Sequence, residues 1–238
     1  MTIPKIPYPS ANYDDRPSGA DVEMLVLHYT GMKNCEEALS RMTDPHAEVS
    51  AHYLISEIGE IFCLVPEDKR AWHAGISYWR GIKNVNGYSI GIELENPGHQ
   101  FGYRDFPSSQ INALLELSQE IISRYSISAR NIVGHSDIAP RRKLDPGELF
   151  NWKLMARQGI GLWPTTKGQS VLPDNIEILL SFLGYEIYDI GATIRAFQRH
   201  YLPSNISGRM DTQTSQTVNA LLDLIGGYDP NKKTYLGR

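Results

Sequence analysis

The sequence predicts an α/β fold: a mixed central β-sheet flanked by helices, followed by a small C-terminal three-helix domain. Three observations point there. Apolar strand-like runs alternate with segments of helical spacing up to Pro164. One pair of strand-like runs is joined by a tight turn, which adds an antiparallel pair to an otherwise parallel arrangement. Beyond a Gly/Pro/Ser-containing stretch, the remaining chain carries only helical periodicity.

Taken in order, "MLVLHY" (Met24 to Tyr29) is a continuous apolar run, the pattern of a strand buried on both faces, and it delivers His28 to a sheet edge. "NCEEALSRMT" places Cys35, Ala38, Leu39 and Met42 on one helical face. "SAHYLIS" and "EIFCLVPE" flank Ile58-Gly59 and predict a hairpin with β-branched and aromatic residues on both arms. In "YSIGIELEN", Ile90 and Ile92 share one face of a strand while Gly91 and Glu93 share the other. Ser108 to Tyr125 carries Ile111, Leu114, Leu115, Ile121 and Ile122 on one stripe, with Ser108 or Ser109 as the expected N-cap. "NIVGH" predicts a short strand ending, like the first, in a histidine. The expected boundaries are a catalytic domain over 1–164, a linker over 165–172 and a three-helix domain over 173–238. Asp211 is the expected N-cap of the last helix.

Composition narrows the function classes. With 41% hydrophobic and 21% charged residues the chain can bury a core and is not disordered. A net charge of −4 argues against a nucleic-acid partner, which calls for a clustered basic face. The two cysteines, Cys35 and Cys63, lack metal or redox spacing and are read as buried or free thiols. No apolar run approaches the roughly 18 residues of a membrane span. The N-terminal stretch, broken by prolines and charges, has no apolar signal core. The expectation is a cytoplasmic monomer, or a periplasmic or cell-envelope protein if the chain is a mature form.

The chemistry concentrates in "GHSDIAPRRKLDPG" (Gly134 to Gly147). Of seven histidines, His46, His99 and His200 show no partner pattern and are read as ordinary core or surface residues. His28 and His135 share a placement at strand ends. Two histidines and one carboxylate make a catalytic zinc set that leaves a fourth position open. Asp145 is the favoured carboxylate, because Pro146 restricts its backbone to extended conformations. Asp137 lies in a freer turn and is read as a turn cap or a support for a ligand histidine. Glu93, a carboxylate within an apolar strand, is either a solvent-facing residue or a proton acceptor whose pKa burial would raise; Glu95 shares its face and is less favoured. Lys143 is either one charge of a solvated loop or a donor to a developing oxyanion. In "RAWHAGIS", Trp72 and His73 beside Gly75 suit carbohydrate or peptide contact, although a structural tryptophan has the same spacing.

The strings "VLHYT", "SAHYLI", "RAWHAG", "SIGIELEN" and "GHSDIAPRRKLDPG", in that order, resemble the type 2 N-acetylmuramoyl-L-alanine amidases, a family that includes phage lysozyme amidases and peptidoglycan recognition proteins. The resemblance covers about residues 15 to 164. It implies one zinc ion held by His28, His135 and Asp145, Glu93 as catalytic acid/base, Lys143 as a catalytic lysine, and His52 and His73 at the substrate. Trp72 joins them as an expected substrate contact. The implied substrate is peptidoglycan or a muropeptide, cut between the lactyl group of N-acetylmuramic acid and L-alanine. The alternative is a non-catalytic peptidoglycan-recognition protein of the same fold, which is disfavoured because all three ligand positions are filled. The tail, with "FQRHY", Gly208 and an Asp211-x-x-Thr214 turn, looks like a peptidoglycan-binding three-helix domain.

Overall fold

The computed structural model describes residues 3–164 and 176–227; the expected linker lies outside them. Two three-residue strands come first, β1 (Lys5–Pro7) and β2 (Tyr13–Asp15). The apolar run Met24–Tyr29 forms β3, and α1 follows over Cys35–Thr43, capped by the Asn34 side chain, which accepts from the backbone N–H of Glu37. The expected hairpin is β4 (Tyr53–Ile55) and β5 (Ile61–Cys63), after which β6 spans Lys69–Ala71. Then come β7 (Ser89–Leu94), the single turn α2 (Gly98–Phe101), the long α3 (Ser108–Tyr125) and β8 (Ile132–Gly134). Two short helices, α4 (His135–Ile138) and α5 (Trp152–Arg157), precede the tail helices α6 (Ile176–Leu183), α7 (Ile190–Tyr201) and α8 (Thr212–Leu224).

The six-stranded sheet runs β1-β5-β4-β7-β3-β8, and only β4 and β5 pair antiparallel within it. A separate antiparallel ribbon joins β2 and β6. Period-two alternation sorts the two faces of the central strands. Leu25, Leu27, Ile90, Ile92 and Leu94 meet Ile111, Leu114, Leu117 and Ile121 of α3 in one cluster. Met24 and Val26, from the other face, share a second cluster with Leu180, Phe197 and Leu221 of the tail helices. Burying each such side chain contributes about 1.5–3 kcal/mol, so the tail is held to the sheet by packing as well as by the chain. A third cluster seats Ala38, Leu39 and Met42 of α1 against Leu54 and Leu64.

Two local expectations are corrected. Pro107, not a serine, precedes the first turn of α3, and Ser109 instead donates its hydroxyl to the Glu57 carbonyl. His135 does not end a strand: β8 stops at Gly134 and His135 opens α4. The expected cap of α8 is present, with Asp211 accepting from the Thr214 N–H at 2.8 Å. Both cysteines are free and partly buried.

Candidate metal centre

Parallel pairing of β3 with β7 sets His28 directly beside Glu93. Paired residues of neighbouring strands project to the same face, so both side chains emerge where the carboxyl ends of β3, β7 and β8 meet, the usual place for a site in such a sheet. The chain then returns: Ser136 N–H donates to the Asp145 carbonyl at 2.8 Å, which folds the loop after β8 back onto itself and brings Asp145 beside His135.

His28, His135 and Asp145 form a buried triad. His28 Nδ1 lies 2.9 Å from His135 Nδ1 and 3.1 Å from Asp145 Oδ2, and His135 Nδ1 lies 3.0 Å from the same oxygen. Donors around a tetrahedral zinc with bonds near 2.0–2.1 Å stand about 3.3–3.4 Å apart, a few tenths of an ångström more than these separations.

The tautomers of the neutral rings decide what those atoms can do. His135 Nε2 faces the Ala74 carbonyl at 3.1 Å, an acceptor only, so it carries the proton and leaves Nδ1 bare. For His28 the logic runs through three residues. Ser89 donates its hydroxyl to the Val85 carbonyl at 2.7 Å, so its oxygen accepts from His73 Nε2 at 3.1 Å. His73 Nδ1 is then an acceptor and takes the proton of His28 Nε2 at 3.0 Å. His28 Nδ1 is bare as well. Two nitrogen lone pairs and a carboxylate oxygen therefore converge on one point, which a cation satisfies and a neutral protein does not. Burial and the neighbouring His135 lower the His28 pKa to about 4, which keeps the ring neutral near pH 7.

A cleft of about 500 Å³ opens over the triad, lined by Glu93, His73, Lys143 and His99 among others. Glu93 Oε2 is shielded from solvent and has no hydrogen-bond partner among the described residues. Burial first, then the negative charge of Asp145, pushes its carboxyl well above the ordinary range, while the Lys143 charge pulls the other way. A larger hollow of about 740 Å³ lies at the opposite ends of the strands, beside Arg16, Glu67 and Arg124. Its Glu67 and Arg124 charges pair with each other and it contains none of the candidate residues.

The expected substrate contacts divide. His73 borders the cleft, yet both of its ring nitrogens are engaged, by His28 and Ser89. A Cβ on Gly91 would sit 2.5 Å from His73 Cγ, so the glycine in "SIGIE" is what lets this ring lie across β7. His52 is not among the cleft residues: it is wholly buried, accepting from the Gly91 N–H at 3.0 Å through Nδ1 and donating to the Lys69 carbonyl at 3.1 Å through Nε2. It reaches the cleft only by packing edge-on against His73. Trp72 is not among the cleft residues; it directly follows β6, and its backbone N–H donates to the Ser50 hydroxyl at 2.9 Å. Sequence reasoning passed over two histidines. His99 lines the cleft between Tyr29, 2.9 Å away, and Glu148. His200, in α7, is buried with Nδ1 2.7 Å from Asp137 Oδ2. Local spacing holds no signal for these bonds, because the hydrogen-bond partners lie 49 or more residues away.

Comparison with known proteins identifies relatives of the chain. The chain is 39% identical over 234 residues to the N-acetylmuramoyl-L-alanine amidase AmiD of Escherichia coli K12, covering 86% of this chain and 84% of that protein. It is 41% identical over 161 residues to the 1,6-anhydro-N-acetylmuramyl-L-alanine amidase AmpD of Citrobacter freundii, covering 60% of this chain and 84% of that one. The solved complex of E. coli AmiD with anhydro-N-acetylmuramic acid-L-Ala-D-γ-Glu-L-Lys matches with a TM-score of 0.78 at 37% identity, covering 90% of this chain and 94% of that one. Residues 18–148 match the Amidase_2 family, described as N-acetylmuramoyl-L-alanine amidase, and the chain belongs to that family.

Proposed function

We propose that this chain is a zinc-dependent hydrolase that cuts the amide between the lactyl group of N-acetylmuramic acid and the L-alanine of the stem peptide, in peptidoglycan or in muropeptides. The observation that carries the reading is the convergence of three acceptor atoms, from His28, His135 and Asp145, beside a carboxyl that stands in register with one of them. Zinc held by those three atoms would acidify water and polarise the scissile carbonyl.

The protein's own groups do the rest. Glu93 takes a proton as water adds to the carbonyl carbon and returns it to the nitrogen as the C–N bond breaks, so the products are a free carboxylate and a free amine. Its unpartnered, shielded oxygen suits a group that must hold and release a proton within one turnover. Lys143 faces the same cleft and places positive charge where the carbonyl oxygen becomes negative. His73 and Ser89 hold the His28 ring in one tautomer and one orientation.

The test is mass spectrometry of products from purified sacculi and from a soluble anhydro-muropeptide, with and without a chelator. The expected result is release of the intact stem peptide bearing a free L-alanine amine, abolished by the chelator and restored by zinc. Turnover that persists in zinc-free protein refutes the metal reading, and cleavage at any other bond refutes the substrate assignment.

A further inference from the structure

The loop from Gly134 to Glu148 carries two of the three proposed ligands, and the tail grips it at three separate points. At the first, Asp137 is buried and its carboxylate accepts three hydrogen bonds: from the Gly134 N–H at 2.8 Å, from Tyr185 Oη at 2.7 Å and from His200 Nδ1 at 2.7 Å. Two of those three donors belong to the tail, 48 and 63 residues further along the chain. At the second, Arg141 meets Glu186 at 3.4 Å and lies over the Tyr188 ring, 4.6 Å from its centroid. At the third, Arg199 Nε stands 3.5 Å from Glu148 Oε2.

The first point has the shortest route to the ligands. Gly134 immediately precedes His135, so the Asp137 carboxylate fixes the Val133–Gly134 peptide, one residue before the backbone that carries the His135 side chain. The space around it leaves little play: a Cβ on Gly134 would lie 2.6 Å from Pro146 Cδ and 3.3 Å from Trp152 Cζ2, and Pro146 follows the ligand Asp145. The His200 ring stacks on Trp152 with centroids 3.9 Å apart and planes at 15°, and on Tyr201 at 4.0 Å. Val133 and Ile138, on either side of His135, share a hydrophobic cluster with Phe197. A buried carboxylate with three partners has one low-energy position, and removing a donor leaves it free to reorient or to draw in water.

We propose that the C-terminal helices are part of the catalytic scaffold, with Tyr185 and His200 as positioning residues that act through Asp137 to hold His135 and Asp145 at metal-binding distance. This role is separate from any wall contact the tail makes, and it rests on the reading of His28, His135 and Asp145 as the zinc site. Displacing outer partners of a metal site lowers affinity by about 10–100-fold, and the clamp is one residue more remote, so about tenfold is expected for each donor removed.

The full-length chain is tested with zinc alone as probe, in competition with a chromophoric chelator, together with the visible spectrum of the cobalt-substituted protein and the melting temperature of the metal-free form. Tyr185→Phe and His200→Leu each bind zinc about tenfold more weakly and shift the cobalt spectrum, while His200→Asn, which keeps an N–H at the δ position, recovers most of the loss. Val218→Ala, a truncation at a fully buried position of α8, is the comparator. It lowers the melting temperature but leaves zinc affinity within about twofold of the unaltered protein, because it removes packing while leaving the three hydrogen bonds to Asp137 in place. The clamp is overturned if Tyr185→Phe and His200→Leu bind zinc normally, if His200→Asn recovers nothing, or if Val218→Ala loses as much affinity as they do. Should His200→Leu fail to fold, Tyr185→Phe carries the test, since it deletes a single oxygen. His28→Ala separates the two readings: it abolishes zinc binding if the site is right whatever the clamp does, and both readings fall if it binds zinc normally.

Discussion

Gly91→Ala is a one-carbon test of how His28 is oriented. Gly91 does not have a positive φ, so its backbone accepts alanine and the effect is steric. The new Cβ would stand 2.5 Å from His73 Cγ, 2.6 Å from Nδ1 and 2.7 Å from Cδ2. Ordinary carbon contact begins near 3.5 Å, so the ring must withdraw by about 1 Å. That displacement stretches the 3.0 Å bond to His28 and the 3.1 Å bond to Ser89 beyond hydrogen-bonding range. Overpacking costs about 1–3 kcal/mol and two lost buried hydrogen bonds about 1 kcal/mol each, so the metal-free protein should lose roughly 3–5 kcal/mol of stability. With His28 released from its partner, zinc affinity should fall by about 10–100-fold. Urea unfolding followed by tryptophan fluorescence measures the first quantity and chelator competition the second. Adding His73→Ala to Gly91→Ala removes the clash and should recover stability but not zinc affinity. If Gly91→Ala unfolds within about 0.5 kcal/mol of the unaltered protein and binds zinc normally, the tautomer chain from Ser89 to His28 is wrong.

Four further outcomes follow from the same geometry. Glu93→Gln should retain zinc at one equivalent and lose about 10²–10⁴-fold in turnover of an anhydro-muropeptide, read by chromatography of products; loss of the metal would make Glu93 a ligand instead. Asp145→Asn should weaken zinc binding more than either single tail variant, since it removes a ligand charge rather than a support, and calorimetry with zinc decides it. The His52 pKa is lowered to about 3, first by burial and then by the Arg16 charge. The unfolded chain therefore takes up a proton below about pH 6.5 that the folded chain refuses, and stability should fall as pH drops from 6.5 toward 3, by up to about 4 kcal/mol. His52→Gln should flatten that slope in denaturation curves collected across the range, and an unchanged slope refutes the assignment. Asp211→Ala, which removes the cap on the Thr214 N–H, should destabilise α8 by about 0.5–2 kcal/mol in thermal melts while leaving zinc affinity intact.

The elements with enough residues to show a period were legible before the fold was seen: β3, α1, β7, α3 and the tail helices lie where their apolar spacing places them. Of the three-residue strands, β4, β5 and β8 were read from the longer apolar runs that contain them, whereas β1 (KIP), β2 (YDD) and β6 (KRA) are polar or proline-containing and draw their stability from their partner strands. The same distinction runs through the site. His28, Glu93 and Gly91 announce themselves as departures from an apolar strand pattern. His135, Lys143 and Asp145 do so as an odd concentration of chemistry in one loop.

The residue types at the proposed centre and their order along the chain are therefore properties of the sequence by itself. Which atoms face the proposed centre, and what holds them there, belong to the tertiary structure. Parallel pairing put His28 beside Glu93, and the fold gave His73 to His28 and buried His52 behind them both. Asp137, read as a cap or support, took two partners from the tail, Tyr185 in the connection after α6 and His200 in α7, and local spacing there says nothing about a loop 48 or more residues upstream. The physical reason is one of range. Periodicity and backbone preference act over a few residues, whereas a buried hydrogen bond pairs whatever packing delivers to it.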